Sequence, residues 1–289
     1  MNESWNDYEI IASGGGEKLE RWGSVVLLRP DPQAIWQPPF ALDEYKGLNA
    51  IYRRSSHGGG GWDTLKSFPT EWRIRYRELT FSIKPMGFKH TGLFPEQAHN
   101  WDIMTDIVKS SGKRLKILNL FGYTGGASVA LAKAGAQVTH VDAAKNMVER
   151  CKENASLSAC ADDGIRYIVD DCYKFVSREI KRGNKYDGVL MDPPSYGRGP
   201  DGEVWKLENS ICSLVYETAK LLDDPYFFLI NSYTTGLQPT VLENILKVST
   251  KGSGSVSAYE LTLPTSDRGI KLPCGASGIY TRQNKGGTE

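Results

Sequence analysis

The stretch LKILNLFGYTGGASVALAKAGAQVTHVDA, residues 115–143, carries two apolar runs separated by a glycine turn and an alanine-rich segment. LKILNLF is short and almost wholly apolar, as a strand buried on both faces should be. GASVALAKAGA reads as a helix with alanine-rich packing, and QVTHVDA as a second strand ending on an acid. Strand, glycine turn, helix and strand together predict one repeat of a mostly parallel sheet covered by helices on both faces.

The same alternation runs on from residue 143. NMVERCKENASLSA, YKFVSREIKRG and SICSLVYETAKLL read as helices; GIRYIVDD, YDGVLMD and YFFLINSY read as the strands between them. SVSAYELTLP and GASGIYTR complete the set as two final strands, expected as an antiparallel pair. Upstream, Trp101, Met104, Ile107 and Val108 recur at helical spacing, and Gly112 closes that segment. Residues 8–85 differ in texture: YEIIASGGGEKLERW, GSVVLLRPDPQAIW and WRIRYRELTFSIKP are short apolar runs cut by Gly and Pro. The expected organisation is a small β-rich domain over 1–85, a linker and helix over 86–112, and an α/β domain over 113–289. SSHGGGGW, residues 55–62, reads as a mobile loop.

Bulk properties narrow the function classes. A hydrophobic content of 40% with 24% charged residues is ordinary for a soluble globular chain. The formal net charge of +1 supplies no global field, so any nucleic-acid role must rest on a local basic patch. No apolar run approaches the roughly 18 residues of a membrane span, and MNESWNDYEI lacks the basic and apolar regions of a signal peptide. The five cysteines form no CxxC pair, which reads as unpaired thiols in a reducing compartment, the cytoplasm. With four histidines and no Cys/His cluster, no metal site is expected.

Gly122, Gly125 and Gly126 lie between a strand and a helix, where a nucleotide-like ligand meets exposed backbone amides. Their spacing is not GxGxxG and no Walker lysine follows, which argues against a dinucleotide or a triphosphate. Asp142, at the end of the next strand, is placed to accept hydrogen bonds from a ribose diol. Asp171 ends the third strand and could take an adenine amine, with Cys172 against the ring. Asp170 competes for that role because adjacent strand residues face opposite ways, and capping of the following helix is the purely structural alternative. Phe121 and Tyr123 suit adenosine joined to something small better than a pyrophosphate.

The fourth strand runs into DPPSYGRG, residues 192–199. Two consecutive prolines can continue neither a strand nor a helix, so the chain is forced into a rigid turn behind Asp192.

GLFPEQ (92–97), NLFGYTGGASVALAKAGA (119–136), VTHVDAAKNMVERCKENA (138–155) and DPPSYGRG resemble the class I S-adenosylmethionine-dependent methyltransferases, and more narrowly the bacterial large-subunit ribosomal RNA methyltransferases. The resemblance implies a Rossmann-like seven-stranded sheet with a reversed terminal hairpin, and S-adenosylmethionine as methyl donor. It implies that Asn119, Phe121, Gly122, Tyr123, Thr124, Gly125 and Gly126 form the loop against the methionine part. Asp142 and Ala143 would take the ribose, and Asp171 and Cys172 the adenine. Asn154 stands at the family's small polar position after the second helix, and Phe94 and Gln97 match a region that closes over the cofactor pocket. Asp192, Pro193, Pro194 and Tyr196 correspond to an acidic double-proline motif whose carbonyls and acid hold a flat amine while the aromatic stacks on the base. Here Ser195 displaces that aromatic by one position.

Relatives that methylate cytosine at carbon 5 carry a cysteine nucleophile after the fifth strand; this chain has Asn231, Ser232 and Tyr233 there. Attack on ring carbon 6 needs a strong nucleophile, so direct transfer to nitrogen is expected, carbon-5 chemistry being the alternative. For the substrate, Arg73, Arg75 and Arg77 form a ridge that could track phosphates, extended by Arg53, Arg54, Lys84, Lys89 and Arg198. A solvated edge strand would look the same. The expected partner is RNA, ribosomal RNA first; a small-molecule methyltransferase and a non-catalytic RNA-binding protein are the contrasting readings.

Overall fold

A computed structural model describes residues 5–55, 59–87, 89–198 and 204–283; the side chain of Arg198 also lies outside the described set. The chain divides into two compact units. The first takes 1–99, 156–158 and 262–274; the second takes 100–155, 159–261 and 275–289.

In the first unit, β1 (Tyr8–Gly14), β2 (Glu17–Trp22), β3 (Val25–Pro30), β4 (Ala50–Arg54) and β5 (Gly60–Thr64) form a sheet in sequence order. Its pairs are antiparallel except the parallel β3–β4. β6 (Trp72–Tyr76) and β7 (Leu79–Ile83) make a separate antiparallel pair. Aromatic residues consolidate this unit: Tyr8 meets Trp22 edge-on at 4.6 Å, Trp5 meets Tyr76 at 4.7 Å, and Trp72 Nε1 donates to the Trp22 carbonyl at 2.8 Å. Within the same unit Glu20 is fully buried and accepts both Nε and Nη2 of Arg29, at 2.5 and 2.8 Å, together with the Tyr8 hydroxyl at 2.7 Å. Such a pair tolerates burial only because its remaining lone pairs and protons are satisfied. The glycine run expected as a loop is corrected in part: Gly60 and Gly61 belong to β5, paired with Arg54 and Arg53, while residues 56–58 lie outside the described set. A Cβ on Gly60 would fall 2.2 Å from the Arg53 carbonyl oxygen, so glycine is what lets this strand pair.

The second unit contains α1 (Ala98–Ser110, all but its first two residues), β8 (Lys116–Leu120), α2 (Gly126–Lys133), β9 (Gln137–Asp142), α3 (Lys145–Leu157, all but its last two residues), β10 (Ile165–Val169), α4 (Cys172–Lys181) and β11 (Gly188–Met191). There follow a small hairpin of β12 (Tyr196–Arg198) and β13 (Val204–Lys206), then α5 (Leu207–Ala219), β14 (Phe227–Ser232), α6 (Pro239–Ser249), β15 (Ser255–Pro264) and β16 (Lys271–Thr281), of which residues 262–264 and 271–274 group with the first unit. Seven of these strands make one sheet in the order β10-β9-β8-β11-β14-β16-β15. Neighbours from β10 through β14 are parallel, and β16 runs antiparallel to β14. This is the α/β sheet with a reversed terminal strand that the sequence resemblance implied. Every residue of β11 and β14 is buried, which is why those strands read as continuous apolar runs rather than alternating ones. α1 buries Trp101, Met104 and Val108, the stripe that its spacing predicted.

The sheet order fixes where a ligand can sit. β9 and β10 lie on one side of β8, while β11 and β14 lie on the other. The crossovers therefore part between β8 and β11, opening a crevice at their carboxyl ends. No helix among the described residues is long and apolar enough to cross a membrane.

Candidate functional site

Two segments border that crevice: the loop after β8 and the turn after β11. The loop is tightly wound. Phe121 and Tyr123 hold φ values of +57° and +52°, and Gly125, the residue preceding α2, holds +85°. Non-glycine residues rarely take such angles unless the surroundings impose them. Here they are imposed from several directions. The Gly122 N–H donates to the Val141 carbonyl at 3.0 Å, the Phe121 N–H meets Cys172 Sγ at 3.3 Å, and the Asn154 amide donates to the Thr124 carbonyl at 2.9 Å. The glycines are demanded from beneath. A Cβ on Gly122 would lie 2.3 Å from the His140 ring, and one on Gly125 would lie 2.1 Å from Cys151 Sγ.

Under the loop runs a buried polar chain, in which Asn119 donates to Ser128 Oγ at 2.8 Å and Ser128 Oγ meets His140 Nδ1 at 2.9 Å. Burial pushes His140 down to about 4 against a weaker pull from the Tyr123 backbone, so the ring is neutral at physiological pH. Asn119 and Asn154 thus sit inside the loop's scaffold, while Ala143, just past β9, is exposed.

Asp142 closes β9. Its two carboxylate oxygens accept the Tyr123 N–H and the Ala144 N–H, each at 2.8 Å. Burial raises its carboxyl above the ordinary value, and those two N–H bonds oppose the rise. Each oxygen keeps a second lone pair, so the group is oriented without being saturated. The expected strand end is corrected: β10 stops at Val169, and Asp170 and Asp171 both lie just past it, where strand alternation no longer sets their directions. Asp170 pairs with Arg178, whereas Asp171 caps α4 by accepting the Lys174 N–H at 2.9 Å. Cys172 is buried, its thiol pushed up by burial.

The turn after β11 begins at Asp192, whose N–H reaches the Leu120 carbonyl at 3.4 Å, tying it to the end of β8. Pro193 is buried, and Pro194 and Ser195 are exposed. The Pro194 carbonyl accepts Trp205 Nε1–H at 2.6 Å, the Ser195 carbonyl accepts the Leu207 N–H at 3.1 Å, and Ser195 Oγ accepts Thr234 Oγ1–H at 2.7 Å. Among the described residues no donor reaches the Pro193 carbonyl. Tyr196 opens β12 and is 52% exposed. Beside the turn, β14 ends in a second buried polar group. Asn231 Oδ1 accepts Asn100 Nδ2–H at 3.0 Å and Ser277 Oγ–H at 2.6 Å, and the Tyr259 hydroxyl donates to Asn100 Oδ1 at 2.6 Å. Sequence reading missed Trp205, Thr234 and this Asn–Ser–Tyr group. Only Asn231, at a strand end, carried a signal.

The remaining predicted residues, apart from Arg198 of the second unit, whose side chain lies outside the described set, belong to the first unit. Phe94 precedes a short 3-10 turn, Pro95–Gln97; it meets His90 edge-on at 5.4 Å, and Gln97 is buried. β6 alternates as its pattern predicted, Arg73 and Arg75 exposed against a fully buried Ile74 and Tyr76. Arg75 pairs with Asp7 at 3.5 Å, and Arg77, at a φ of +50°, lies over the Tyr76 ring. Lys89 is drawn inward, its Nζ donating to the Pro30 carbonyl at 3.3 Å.

The second unit's crevice suits S-adenosylmethionine. It offers an oriented carboxylate and loop backbone, and residues 119–126 contain no cation of the kind a phosphate would need. Residues 14–205 match the family model described as S-adenosylmethionine-dependent methyltransferase. A crystal structure of a SAM-dependent methyltransferase from Agrobacterium tumefaciens superposes with a TM-score of 0.90, is 32% identical, and aligns over 96% of this chain and 91% of its own. A candidate ribosomal RNA large subunit methyltransferase of Methanocaldococcus jannaschii is 30% identical over 159 residues, 53% of this chain and 40% of that protein. The ribosomal RNA large subunit methyltransferase K/L of Colwellia psychrerythraea is 29% identical over 145 residues, 50% of this chain and 19% of its own. This chain therefore spans less than half the length of those curated relatives. Two thirds of the chain match the family model, so it belongs to the S-adenosylmethionine-dependent methyltransferases, as a class I enzyme that binds S-adenosylmethionine and is related to ribosomal RNA methyltransferases.

Proposed function

We propose that this methyltransferase modifies a ring or exocyclic nitrogen of a base in RNA, ribosomal RNA first, in the cytoplasm, where its five unpaired cysteines are at home. The likeness to ribosomal RNA methyltransferases supports the substrate class, and the end of β14 carries the choice of acceptor atom. Asn231, Ser232 and Tyr233 stand where carbon-5 chemistry needs a thiolate. Desolvation, reinforced by the nearby Glu96 charge, pushes the Cys274 thiol well up, away from the thiolate such chemistry needs.

In this reading Asp142 and Ala143 hold the ribose, Asp171 and Cys172 the adenine, and Asn119–Gly126 with Asn154 shape the floor. S-adenosylmethionine supplies an electrophilic methyl group on a sulfonium. The Asp192 carboxylate and the Pro193 carbonyl accept the N–H bonds of the base, turning a nitrogen lone pair toward that methyl, and Asp192 receives the proton released. Most of the rate gain from such a site is orientation. Exposed Tyr196 provides a stacking face for a base that has left its helix. Residues 1–85 act as the recognition module, with Arg73, Arg75 and Arg77 meeting phosphates.

The test is incubation with radiolabelled S-adenosylmethionine and RNA from cells lacking the gene, followed by digestion to nucleosides. Label in an N-methylated nucleoside is expected. Label in 5-methylcytidine would overturn the acceptor assignment, and unlabelled RNA from a protein that still binds cofactor would move the substrate to a small molecule.

A further inference from the structure

A double-proline turn has an unusual weakness. Pro193 and Pro194 fix φ but carry no N–H, so they can donate no hydrogen bond to hold their own turn. Its orientation depends on donors that reach its carbonyls from elsewhere. Here the donors are Trp205 Nε1, at 2.6 Å from the Pro194 oxygen, and the Leu207 N–H, at 3.1 Å from the Ser195 oxygen. Both come from the return strand of the β12–β13 hairpin and its junction with α5.

The same indole touches the cofactor side. Its ring lies 6.3 Å from that of Phe121, the positive-φ residue opening the loop after β8, and 5.5 Å edge-on from Tyr173 in the first turn of α4. Tyr173 in turn donates to the Ser210 carbonyl of α5 at 2.9 Å. One side chain thus contacts the turn after β11, the loop after β8 and the helix that follows Asp171.

We infer that Trp205 is the positioning residue that sets the Asp192–Ser195 turn against the cofactor loop, by taking the Pro194 carbonyl and leaving the Pro193 carbonyl to the acceptor. The inference rests on the reading of that turn as the acceptor site. Trp205→Phe keeps a ring against Phe121 and Tyr173 but removes the N–H. With total RNA from cells lacking the gene as substrate, at a temperature where circular dichroism shows both proteins folded, kcat is expected to fall about 10- to 100-fold, the scale of a misplacement near 1 Å. The affinity for S-adenosylhomocysteine, measured by calorimetry, stays within about 3-fold, a split that general loosening of the fold would not produce. A second readout needs no acceptor: amide exchange at Leu207 should quicken in Trp205→Phe, because the turn it bonds is no longer fixed. Wild-type turnover in Trp205→Phe, while Asp192→Ala is inactive, would overturn the role of Trp205 alone. Wild-type turnover in Asp192→Ala would overturn the acceptor reading itself. Unchanged Leu207 exchange would overturn the positioning role whatever the substrate proves to be.

Discussion

At the scale of single residues, Gly125 and Asp142 differ in what they demand of the chain. Gly125 combines a left-handed backbone with a side-chain direction filled by Cys151. Gly125→Ala is expected to lose about 1–2 kcal/mol from backbone strain alone, with overpacking added. Cys151→Ala in the same chain should recover part of the second contribution and none of the first, a non-additivity that urea titrations of the four proteins would show. If Gly125→Ala melts like the parent, the loop is softer than its contacts imply. Asp142 makes a different demand, since its anchoring bonds come from two backbone N–H groups that an amide oxygen could satisfy only once. Asp142→Asn should therefore weaken S-adenosylmethionine binding about 10-fold or more by calorimetry, the worth of a charged hydrogen bond. Binding at parental strength would remove Asp142 from the cofactor site. The acid itself was legible, being a carboxylate at a strand end one strand after a glycine turn. Its two N–H partners were not, because they depend on the φ values of Tyr123 and its neighbours.

Among the elements, α4 shows two readings of one residue to be compatible. Asp171 caps the helix with one oxygen, which leaves the other for a ligand. The two roles separate by substitution. Asp171→Ala should cost about 1 kcal/mol of stability, while Asn, an equally good cap, should cost almost none. Yet Asp171→Asn replaces the second acceptor by a donor, so it should weaken cofactor binding as Ala does. Full affinity in the Asn variant would leave Asp171 as a cap only. The order of strands and helices from residue 113 was legible because each element is long and its period clear. The β12–β13 hairpin was not, since its strands are three residues each and the prolines before them suggest only a turn. Trp205 looked unremarkable for that reason: its importance comes from the return of the chain, which no local pattern announces.

For the whole molecule, acid should weaken both units. His140, in the second unit, and His90, in the first, are each pushed down to about 4, His140 by burial and His90 by burial and the charges of Arg29, Lys89 and Lys18. Between the ordinary value of 6.5 and about 4 the unfolded chain binds protons that the native state refuses. Stability is therefore full above that window and is lost as pH falls through it. Glu20 acts lower down. Burial alone would raise it, but Arg29 and Lys18 hold it at about 2, so its contribution is present above 4.5 and lost as pH falls toward 2. Melting temperatures should decline in two stages on acidification. A flat profile from neutrality to about 4 would mean that both rings are solvated in the native state.

Residues 262–274 belong with the first unit although the second unit's strands flank them in sequence. Thr265 bridges Ile10, Ser266 and Asp267 donate their N–H groups to the carbonyls of Ile10 and Ile11, and Arg268 reaches the Ser13 carbonyl. On the ribosome Ile10 and Ile11 are made long before Thr265 and its neighbours. β1 must therefore wait for the intervening residues to emerge before this edge contact can form. A nascent chain stalled before residue 265 should accordingly keep residues 9–14 open to protease, and release past that point should close them.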